Sequence, residues 1–332
     1  MKLTIIIPTY NRSRQLSECL DVLVPQVLPY KDEVHIYISD NASTDNTQQL
    51  CISYKNRYSE IITYFRQKEN ILGEPNFNHA VHSVDSEYVY LLGDDDIVAP
   101  FFVMFSMYLL KKYANINWFY FNQYVTSDDM LLKFQWNKQF MRDEVVVYDR
   151  GADMVKDYLN GPSCISSNIF RREIWMKGEQ YVPNVYPGEY PGYVWLAKMY
   201  SGCAHLPSAY ISYPMFLARS PATGGYSSDW PWYYIVGMGE TMALVEKLSH
   251  NGVYQHWISY QQKTLLRVCL KTLLPVSYYK DKYKSRREGI KKHLHSKYIR
   301  LFLDLCIFVF PKSFSKYIIL PMLKCMKIFC KS

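Results

Sequence analysis

Strand-like and helical patterns alternate through the first hundred residues of this chain, and this order constrains the fold more than any other feature. Runs rich in aliphatic, aromatic and β-branched residues are separated by stretches with helical periodicity. The predicted strands are 3–7, 34–39, 61–66 and 88–92, and the predicted helices are 14–23, 44–56 and 76–84. Strands about thirty residues apart with helices between them predict a mostly parallel sheet with helices on both faces.

The pattern loosens after residue 100. We predict a helix over 102–113, a strand over 118–122 and a further helix over 195–199. Small residues at 161–170 indicate backbone that lies close to a ligand. The segment 181–192 holds three prolines, two glycines and three tyrosines, a composition typical of an ordered loop or lid.

The fourth predicted strand runs directly into a glycine and three carboxylates, Gly93, Asp94, Asp95 and Asp96. In a parallel sheet these groups lie at the carboxyl edge, where ligands bind. Three aspartates within about 7 Å of one another repel unless they are protonated or bound to a metal ion, and oxygen ligands suit Mg²⁺ or Mn²⁺. A solvated acidic turn is the alternative, but the apolar run 97–102 follows at once, which favours a metal site.

A second polar group follows the second predicted strand. Asp40 ends that strand, beside the loop that begins after Pro8, and its carboxylate is placed to accept hydrogen bonds from a nucleotide base or ribose. Ser43 and Thr44 are good caps for the next helix, so part of this motif also has a purely structural explanation. We also expect Pro8 to end the first strand.

Together these segments resemble the inverting family 2 glycosyltransferases of GT-A fold. The motifs that carry the resemblance are 5–12, 39–45, 70–73 with Asn76, and 93–96. The resemblance implies an α/β GT-A fold, Rossmann-like, with a mostly parallel sheet flanked by helices, and a divalent ion, Mn²⁺ or Mg²⁺, on the diphosphate of a nucleotide-sugar donor. The donor-binding positions that it implies are Pro8, Thr9, Tyr10, Asn11, Arg12, Asp40, Asn41, Ser43, Asn70, Gly73, Asn76, Asp94 and Asp95.

The aspartate motif departs from the commoner family form in one respect. That form has an aspartate where Gly93 stands, followed by a variable residue and two aspartates. Asp95 and Asp96 match the last two positions. We therefore rank Asp96 first as a metal ligand and Asp95 next, with Asp94 as a third ligand or a ribose contact.

A looser resemblance extends to about residue 216. Residues 166–172 and 188–191 look like the abequosyltransferase-type enzymes of bacterial O-antigen assembly. This resemblance implies an oligosaccharide acceptor that is linked to a polyprenyl diphosphate.

An inverting transfer also needs a base to take the proton of the acceptor hydroxyl. Relatives usually place an acidic pair well after the metal motif, and Glu189, which lies 93 residues after Asp96, is the nearest equivalent. Asp153 and Asp157 are alternative bases. A surface loop in which Glu189 has no catalytic role is the remaining interpretation.

The charge of the chain is unevenly distributed. From residue 263 onward, 17 Lys and Arg stand against three acidic residues, a net of +14, whereas the residues before 263 carry −6. Apolar residues are interspersed in helical patterns, and the longest apolar run, 301–311, is too short to span a bilayer, which needs about 20 residues. We expect an amphipathic helical region at an anionic membrane surface, in preference to nucleic-acid binding or a solvated tail with one buried face.

Cysteine usage and the N-terminal segment indicate a compartment. Eight cysteines without a Cys-x-x-Cys pair predict neither a zinc site nor a disulfide framework. The N-terminal apolar stretch is too short for a signal peptide. We expect a cytoplasmic protein that is peripheral on the inner face of the cytoplasmic membrane.

These interpretations define three expected regions and one expected activity. Residues 1–100 form the nucleotide-sugar-binding half of the GT-A domain, 101–255 the acceptor-binding half, and 256–332 the basic membrane-associating region. The resemblance implies metal-dependent transfer of a hexosyl or deoxyhexosyl group from a UDP, GDP, dTDP or CDP sugar to a lipid-linked oligosaccharide, in O-antigen or surface polysaccharide biosynthesis. The alternatives are a non-catalytic nucleotide-sugar or membrane-binding module, and a nucleotidyltransferase, which would release pyrophosphate instead of a nucleoside diphosphate.

Overall fold

The computed structural model describes residues 1–126, 145–158, 164–182, 193–219, 236–259 and 292–293, together with the backbone of a two-residue strand at 135–136. The chain divides into two compact units. The first unit comprises Met1–Pro187 and Val194–Thr223, and the second comprises Gly188–Tyr193 and Gly224–Ser332.

The first part of the first unit repeats a strand–helix order. Its strands are β1 (Leu3–Thr9), β2 (Val34–Asp40), β3 (Ile62–Arg66) and β4 (Tyr88–Leu91), and its helices are α1 (Ser13–Val27), α2 (Thr47–Arg57) and α3 (Gly73–His82). The predicted type and order of these seven elements are confirmed. Their ends differ from the prediction by a few residues, as expected when capping geometry decides the last turn.

The remaining elements are shorter and more varied. They are β5 (Ile97–Val98), α4 (Phe102–Lys112), β6 (Trp118–Thr126), β7 (Gln135–Trp136), β8 (Val145–Tyr148), α5 (Gly151–Tyr158), β9 (Asn168–Arg171), α6 (Arg172–Glu179), α7 (Val194–Cys203) and β10 (Ser208–Arg219). A 3₁₀ turn at Ile165–Ser167 leads into β9. The predicted elements at 102–113, 118–122 and 195–199 correspond to α4, β6 and α7.

The ten strands in the described part of the chain belong to one sheet, in the order β3-β2-β1-β4-β9-β6-β10-β5, with β7 paired to β6 and β8 paired to β10. The strands β3, β2, β1 and β4 are parallel neighbours, and β10 is parallel to β6. β9 runs antiparallel between β4 and β6. The predicted parallel sheet is confirmed for the first four strands, whereas the antiparallel strands follow residue 96, and all of them except β5 lie in the part after residue 100 where the sequence pattern loosens.

The central strands are buried on both faces. Ile5, Ile6 and Ile7 of β1 have no exposed surface, and neither have Tyr90 and Leu91 of β4. Because consecutive strand residues point to opposite faces, both faces of the sheet are covered here. This is the arrangement that the continuous apolar runs predicted.

β1 extends one residue beyond Pro8, so the prediction that Pro8 ends this strand was wrong. Pro8 pairs with Ser39 and Thr9 pairs with Asp40, while β4 is paired with β1 only as far as Ile6. Because β4 does not pair with β1 beyond Ile6, no neighbouring strand on that side needs the backbone N–H that proline lacks.

In the second unit the structure describes α8 (Met238–Ser249), a helical stretch at 253–259 and residues 292–293. Glu240 of α8 pairs with Lys292 and with Nε2 of His293. The imidazole ring of His293 lies so close to Gly239 that a Cβ there would be 2.5 Å from the ring. Most of the predicted basic helical region lies outside the described residues. Among the described helices, none combines the length and apolarity needed to cross a membrane.

Candidate functional site

The carboxyl ends of β1, β2 and β4 meet at one edge of the sheet and bring four polar segments together. These segments are residues 8–12 at the end of β1 and in the loop that follows it, residues 40–45 from the last residue of β2 onward, residues 70–76 before and within α3, and residues 93–96 after β4. The site that the sequence predicted at this edge is therefore assembled in the first unit. Tyr10 of the first loop is exposed, whereas Thr9 is buried.

Arg12 pairs with two carboxylates of the aspartate motif. Its Nη1 lies 3.1 Å from Oδ1 of Asp94 and also forms an ion pair with Oδ2 of Asp95. The Asp94 side chain is buried, and that of Asp95 is 25% exposed. A single guanidinium group thus faces two of the three carboxylates.

Asp96 is held by Ser166 and Arg219, which follow it by 70 and 123 residues in the chain. One oxygen, Oδ2, accepts a hydrogen bond from the hydroxyl of Ser166, and the other, Oδ1, accepts one from the backbone N–H of Arg219 at 2.9 Å. The guanidinium of Arg219 donates from Nε to the backbone oxygen of Asp95 at 2.9 Å and pairs with Glu18 of α1. Both the side chain of Asp96 and the backbone of the motif are fixed by residues that are distant in sequence.

Burial makes the ionised forms of two of these aspartates unfavourable. Burial and the neighbouring charge of Asp95 raise the pKa of Asp96 to about 7, although the hydrogen bonds from Ser166 and Arg219 act in the opposite direction. Burial also raises the pKa of Asp94 to about 6, against the lowering effect of the Arg12 charge. The motif is therefore short of positive charge near neutral pH.

Gly93 has a steric reason to lack a side chain. A Cβ at this position would lie 3.0 Å from Oδ2 of Asp96, 3.2 Å from Oδ1 of Asp95 and 3.3 Å from Oγ of Ser166. The backbone N–H of Gly93 also donates to the same Ser166 hydroxyl at 2.8 Å. An aspartate here, as in the commoner family form, would require these oxygens to move by a few tenths of an ångström.

The residues present fit a divalent cation in chemistry. Carboxylate oxygens suit Mg²⁺ or Mn²⁺, and the raised pKa values of Asp94 and Asp96 reflect a charge deficit that such an ion would relieve. Across the described ranges, no three His, Cys, Asp or Glu side chains are arranged to hold an ion by themselves. Oxygens of a bound ligand would have to complete the coordination shell.

Asn11 joins the first loop to the second. It has a φ of 54°, a left-handed conformation that asparagine tolerates better than most residues. Its Oδ1 accepts hydrogen bonds from the backbone N–H of Thr44 at 2.7 Å and from the Thr44 hydroxyl at 3.3 Å, and its own N–H donates to Ser43 Oγ at 3.0 Å. The sequence interpretation of Ser43 and Thr44 as helix caps was wrong, because both bond to this loop and the helix begins at Thr47.

Asp40 is fully buried, and both of its oxygens have partners within the protein. Oδ1 accepts from the backbone N–H of Ser43 at 2.8 Å, Oδ2 accepts from the Tyr64 hydroxyl at 2.8 Å, and Nε of Arg66 lies 3.6 Å from Oδ2. Its nucleotide contact, as predicted from the sequence, stays a prediction. In this structure the carboxylate shapes the second loop.

The other three predicted asparagines lie in two separate hydrogen-bonded groups. Asn41 donates from Nδ2 to Oδ1 of Asn70 at 2.9 Å and accepts from the backbone N–H of Ile71 at 2.9 Å, which ties the third segment to the second loop. Asn76 is buried, and its side chain bonds to Ser39 and Gln67. Gly73, the first residue of α3, follows Leu72, which has a φ of 72°.

The structure describes two of the three candidate bases. Glu189 lies outside the described residues. Asp153 forms an ion pair with Arg150 at 2.8 Å, and Asp157 accepts a hydrogen bond from the Tyr148 hydroxyl at 2.8 Å.

Sequence reasoning missed two residues that support the aspartate motif. Ser166 lay in a segment whose small residues had indicated a nearby ligand, so a partial signal existed. Arg219 carried no local signal, because its role depends on β10 ending beside Asp95 and Asp96.

Comparison with known proteins identifies related chains. The family model described as "Glycosyl transferase family 2" matches residues 4–173, slightly more than half of the chain. The abequosyltransferase RfbV of Salmonella typhimurium is 29% identical over 184 residues, which are 53% of this chain and 54% of RfbV. The match thus spans about half the length of that relative.

Among solved structures, the crystal structure of Staphylococcus aureus TarS 1-349 superimposes with a TM-score of 0.59 at 15% identity, covering 92% of this chain and 87% of TarS 1-349. TarS 1-349 in complex with UDP-GlcNAc gives a TM-score of 0.56 at 15% identity and covers 89% of both chains. At this level of identity the likeness concerns the fold, and it confirms the predicted GT-A architecture.

Proposed function

This chain belongs to glycosyl transferase family 2, and we propose that it transfers one sugar, with inversion at the anomeric carbon, from a nucleotide-sugar donor to a lipid-linked oligosaccharide. The observation that carries the proposal is the Asp94–Asp96 motif at the carboxyl edge of the sheet, in which Asp94 and Asp96 are buried and Arg12 pairs with Asp94 and Asp95. This edge is where open α/β sheets bind nucleotides.

The donor is proposed to be a UDP, GDP, dTDP or CDP sugar. The relative RfbV is named an abequosyltransferase, and TarS 1-349 has been crystallised with UDP-GlcNAc, so both names support a sugar donor of this class. The exposed Tyr10 and the linked Asn41 and Asn70 line the loops proposed to receive the nucleoside.

A divalent ion is proposed to be held by Asp96 first, then by Asp95, with Asp94 as a third ligand or a ribose contact. When bound, Mg²⁺ or Mn²⁺ would offset the negative charge that accumulates on the departing nucleoside diphosphate. The residues of the chain prepare for this step in the free protein. Ser166 and Arg219 hold Asp96 in one orientation. The guanidinium group of Arg12 pairs with both Asp94 and Asp95.

Glu189 is the proposed base that removes the proton of the acceptor hydroxyl. Replacing Glu189 with Gln should lower kcat by about 10²–10⁴-fold, the range of general-base contributions, and leave donor binding in place. Glu60→Gln, an exposed glutamate paired with Lys31, is the matched control and should keep normal turnover. A Glu189→Gln enzyme with wild-type kcat across the pH range would assign the base elsewhere, to Asp153 or Asp157.

The acceptor and the location of the protein are also part of the proposal. The basic region after residue 262, with its net charge of +14, is proposed to bind the anionic inner face of the cytoplasmic membrane, where a polyprenyl-diphosphate-linked acceptor would be available. Binding of the full chain to anionic vesicles should weaken as the salt concentration rises, because screening reduces this attraction. Binding that does not respond to salt would contradict an electrostatic attachment.

The central test is a thermal-shift and product assay on a panel of nucleotide sugars with Mn²⁺. A bound donor should raise the unfolding temperature of the wild type, and turnover should release a nucleoside diphosphate. Asp96→Asn should abolish turnover, whereas Asp32→Asn, at an exposed site, should not. Release of pyrophosphate would identify a nucleotidyltransferase instead, and a thermal shift without any turnover would identify a non-catalytic binding module.

A further inference from the structure

Helix α4 presents an apolar face to solvent. Phe101 just before the helix is 47% exposed, Met104 is 57% exposed and Tyr108 is 50% exposed, with the half-buried Phe105 between them. These positions share one side of a helix, where the outward face of an ordinary surface helix is polar. The opposite side of α4 is buried and includes Phe102, Val103, Ser106, Met107, Leu109 and Leu110.

Tyr213 of β10 extends this surface. Its side chain is 56% exposed, and its ring centroid lies 6.4 Å from that of Phe105, which is 6.2 Å from that of Tyr108. The pairing of β10 with β6 shifts register between Ile211 and Pro214, and such irregularities re-aim side chains. We call the five residues Phe101, Met104, Phe105, Tyr108 and Tyr213 the α4 face.

Two lysines lie at the C-terminal end of α4, beside the α4 face. Lys112 lies over the rings of Tyr108 and Tyr113, 5.3 Å from each centroid, and Lys111 pairs with Glu33 at 2.8 Å. Neither α4 nor the 212–214 segment of β10 contains an acidic residue. The face is thus a patch of aromatic and thioether groups with ammonium groups at one end.

We propose that the α4 face binds the surface of an anionic lipid bilayer. Aromatic rings and methionine suit the boundary between headgroups and acyl chains, and tyrosine hydroxyls reach the polar headgroups. Lysines extend their ammonium groups toward anionic lipids. A second copy of the chain is a poorer occupant, because a two-fold interface would set the same face, with its lysines, against itself.

The position of this face deepens the proposed function, and its biological purpose rests on that function. Phe101 follows Asp96 by five residues, so their Cα atoms are at most about 18 Å apart. A bilayer bound by the α4 face would come within reach of the aspartate motif. A lipid-linked acceptor would then meet the donor without leaving the membrane surface.

The test measures binding of the full-length protein to phosphatidylcholine vesicles with and without phosphatidylglycerol, in the absence of nucleotide. The double variant Met104→Glu, Tyr108→Glu should lower the partition coefficient on phosphatidylglycerol-containing vesicles by at least about tenfold, because it adds two negative charges and removes two apolar contacts. Both positions are exposed, so the fold should be retained, and the thermal unfolding curve checks this.

The matched control is the double variant Ile52→Glu, Val147→Glu, at exposed apolar positions on α2 and β8. It changes net charge equally and should stay within about twofold of the wild type, which separates the α4 face from overall charge effects. Equal losses in the two double variants would overturn the proposal.

A position-specific measurement separates the α4 face from the basic region after residue 262. A photoreactive benzoylphenylalanine at position 104 should crosslink to vesicle lipid, whereas the same group at position 52 should not. Absence of lipid crosslinks at position 104 would overturn the proposal. So would a concentration-dependent dimer that the Met104→Glu, Tyr108→Glu variant dissociates without changing vesicle binding, since the face would then join two copies.

Failure of the lipid inference is distinguishable from failure of the proposed function. The thermal shift caused by nucleotide sugars needs no vesicle, and the Met104→Glu, Tyr108→Glu variant should retain it. Vesicle binding needs no nucleotide, and Asp96→Asn should retain it.

Discussion

Ser166 donates a hydrogen bond from its hydroxyl to Asp96, a residue 70 positions earlier in the chain, and the same oxygen accepts a hydrogen bond from the backbone N–H of Gly93 at 2.8 Å. One side chain therefore fixes both ends of the aspartate motif. The Tyr90 hydroxyl in turn donates to the backbone oxygen of Ser166 at 2.8 Å, so the serine is itself held in place.

Replacing Ser166 with Ala should release Asp96 and lower kcat/KM by about 10–100-fold, the usual effect of removing a group that orients a metal ligand. The free energy of unfolding should fall by about 1–2 kcal/mol through the lost hydrogen bonds. Steady-state kinetics as a function of Mn²⁺ concentration provide the measurement. Ser167→Ala is the control, because the neighbouring hydroxyl donates to Gln123 at 2.9 Å; it should cost stability but keep the response to Mn²⁺. Identical kinetics in the two variants would contradict the assigned role.

Stability without a divalent ion should fall as pH rises from about 5 to about 8. The folded protein raises the pKa of Asp94 to about 6 and that of Asp96 to about 7. The stabilisation from the protonated forms is complete below the ordinary aspartate pKa and is lost as pH rises through these values. The expected loss between pH 5 and pH 8 is on the order of 4 kcal/mol.

Urea denaturation of the wild type and of Asp96→Asn at the two pH values measures this effect. The variant should show a smaller pH dependence, and Asp32→Asn should match the wild type. Mn²⁺ should restore stability at the higher pH in the wild type more than in Asp96→Asn. A pH dependence that is equal in all three proteins would show that Asp96 is ionised without penalty.

Arg219 and Glu18 should show strong energetic coupling. The Arg219 guanidinium is buried, contacts Glu18 on α1 and donates to the backbone of the motif at Asp95. A double-mutant cycle with Arg219→Met and Glu18→Gln should give a coupling energy of about 1–3 kcal/mol in urea denaturation. The exposed pair Lys31–Glu60 should give less than about 1 kcal/mol in the same experiment. Additive effects for Arg219 and Glu18 would exclude a role for their contact in stabilising the motif.

Removing the charge of Arg12 should move the acidic limb of the activity profile to higher pH. The Arg12 charge lowers the pKa of Asp94 against the larger effect of burial, so Arg12→Gln should raise that pKa further, by roughly one pH unit. The measurement is kcat/KM against pH with saturating Mn²⁺. Arg12→Lys keeps a positive charge and should shift the limb less, and Arg57→Gln on α2 should not shift it. An acidic limb that stays in place in Arg12→Gln would mean that Asp94 does not control it.

Local sequence patterns and contacts between distant residues account for different parts of this structure. The parallel strands and helices of the first hundred residues were predictable, since each follows from the periodicity of its own apolar residues. The loop that follows β1 was predictable as a polar segment at the sheet edge, but its link from Asn11 to Thr44 was not. That link depends on the register of β1 with β2.

Two of the predicted donor-binding residues have surroundings that differ from the prediction. Asp40 and Asn76 were predicted as donor contacts, yet both are buried and bonded to other parts of the protein. Sequence reasoning placed them at the correct edge of the sheet. It could not determine which way each side chain points, because that depends on neighbours such as Tyr64 and Ser39 from other strands and loops.

The sequence by itself determined the α/β order, the position of the aspartate motif at a strand end and the oxygen-rich chemistry of the site, because these depend on short-range patterns. Only the tertiary structure decided that Ser166 and Arg219 hold Asp96, that Gly93 leaves room for the contact of Ser166 with Asp96, and that α4 exposes its apolar face beside Tyr213. The physical reason is that strand pairing sets β9 beside β4 and β10 beside β5, each across more than 70 residues of sequence, and the packing around a buried carboxylate sets its charge state.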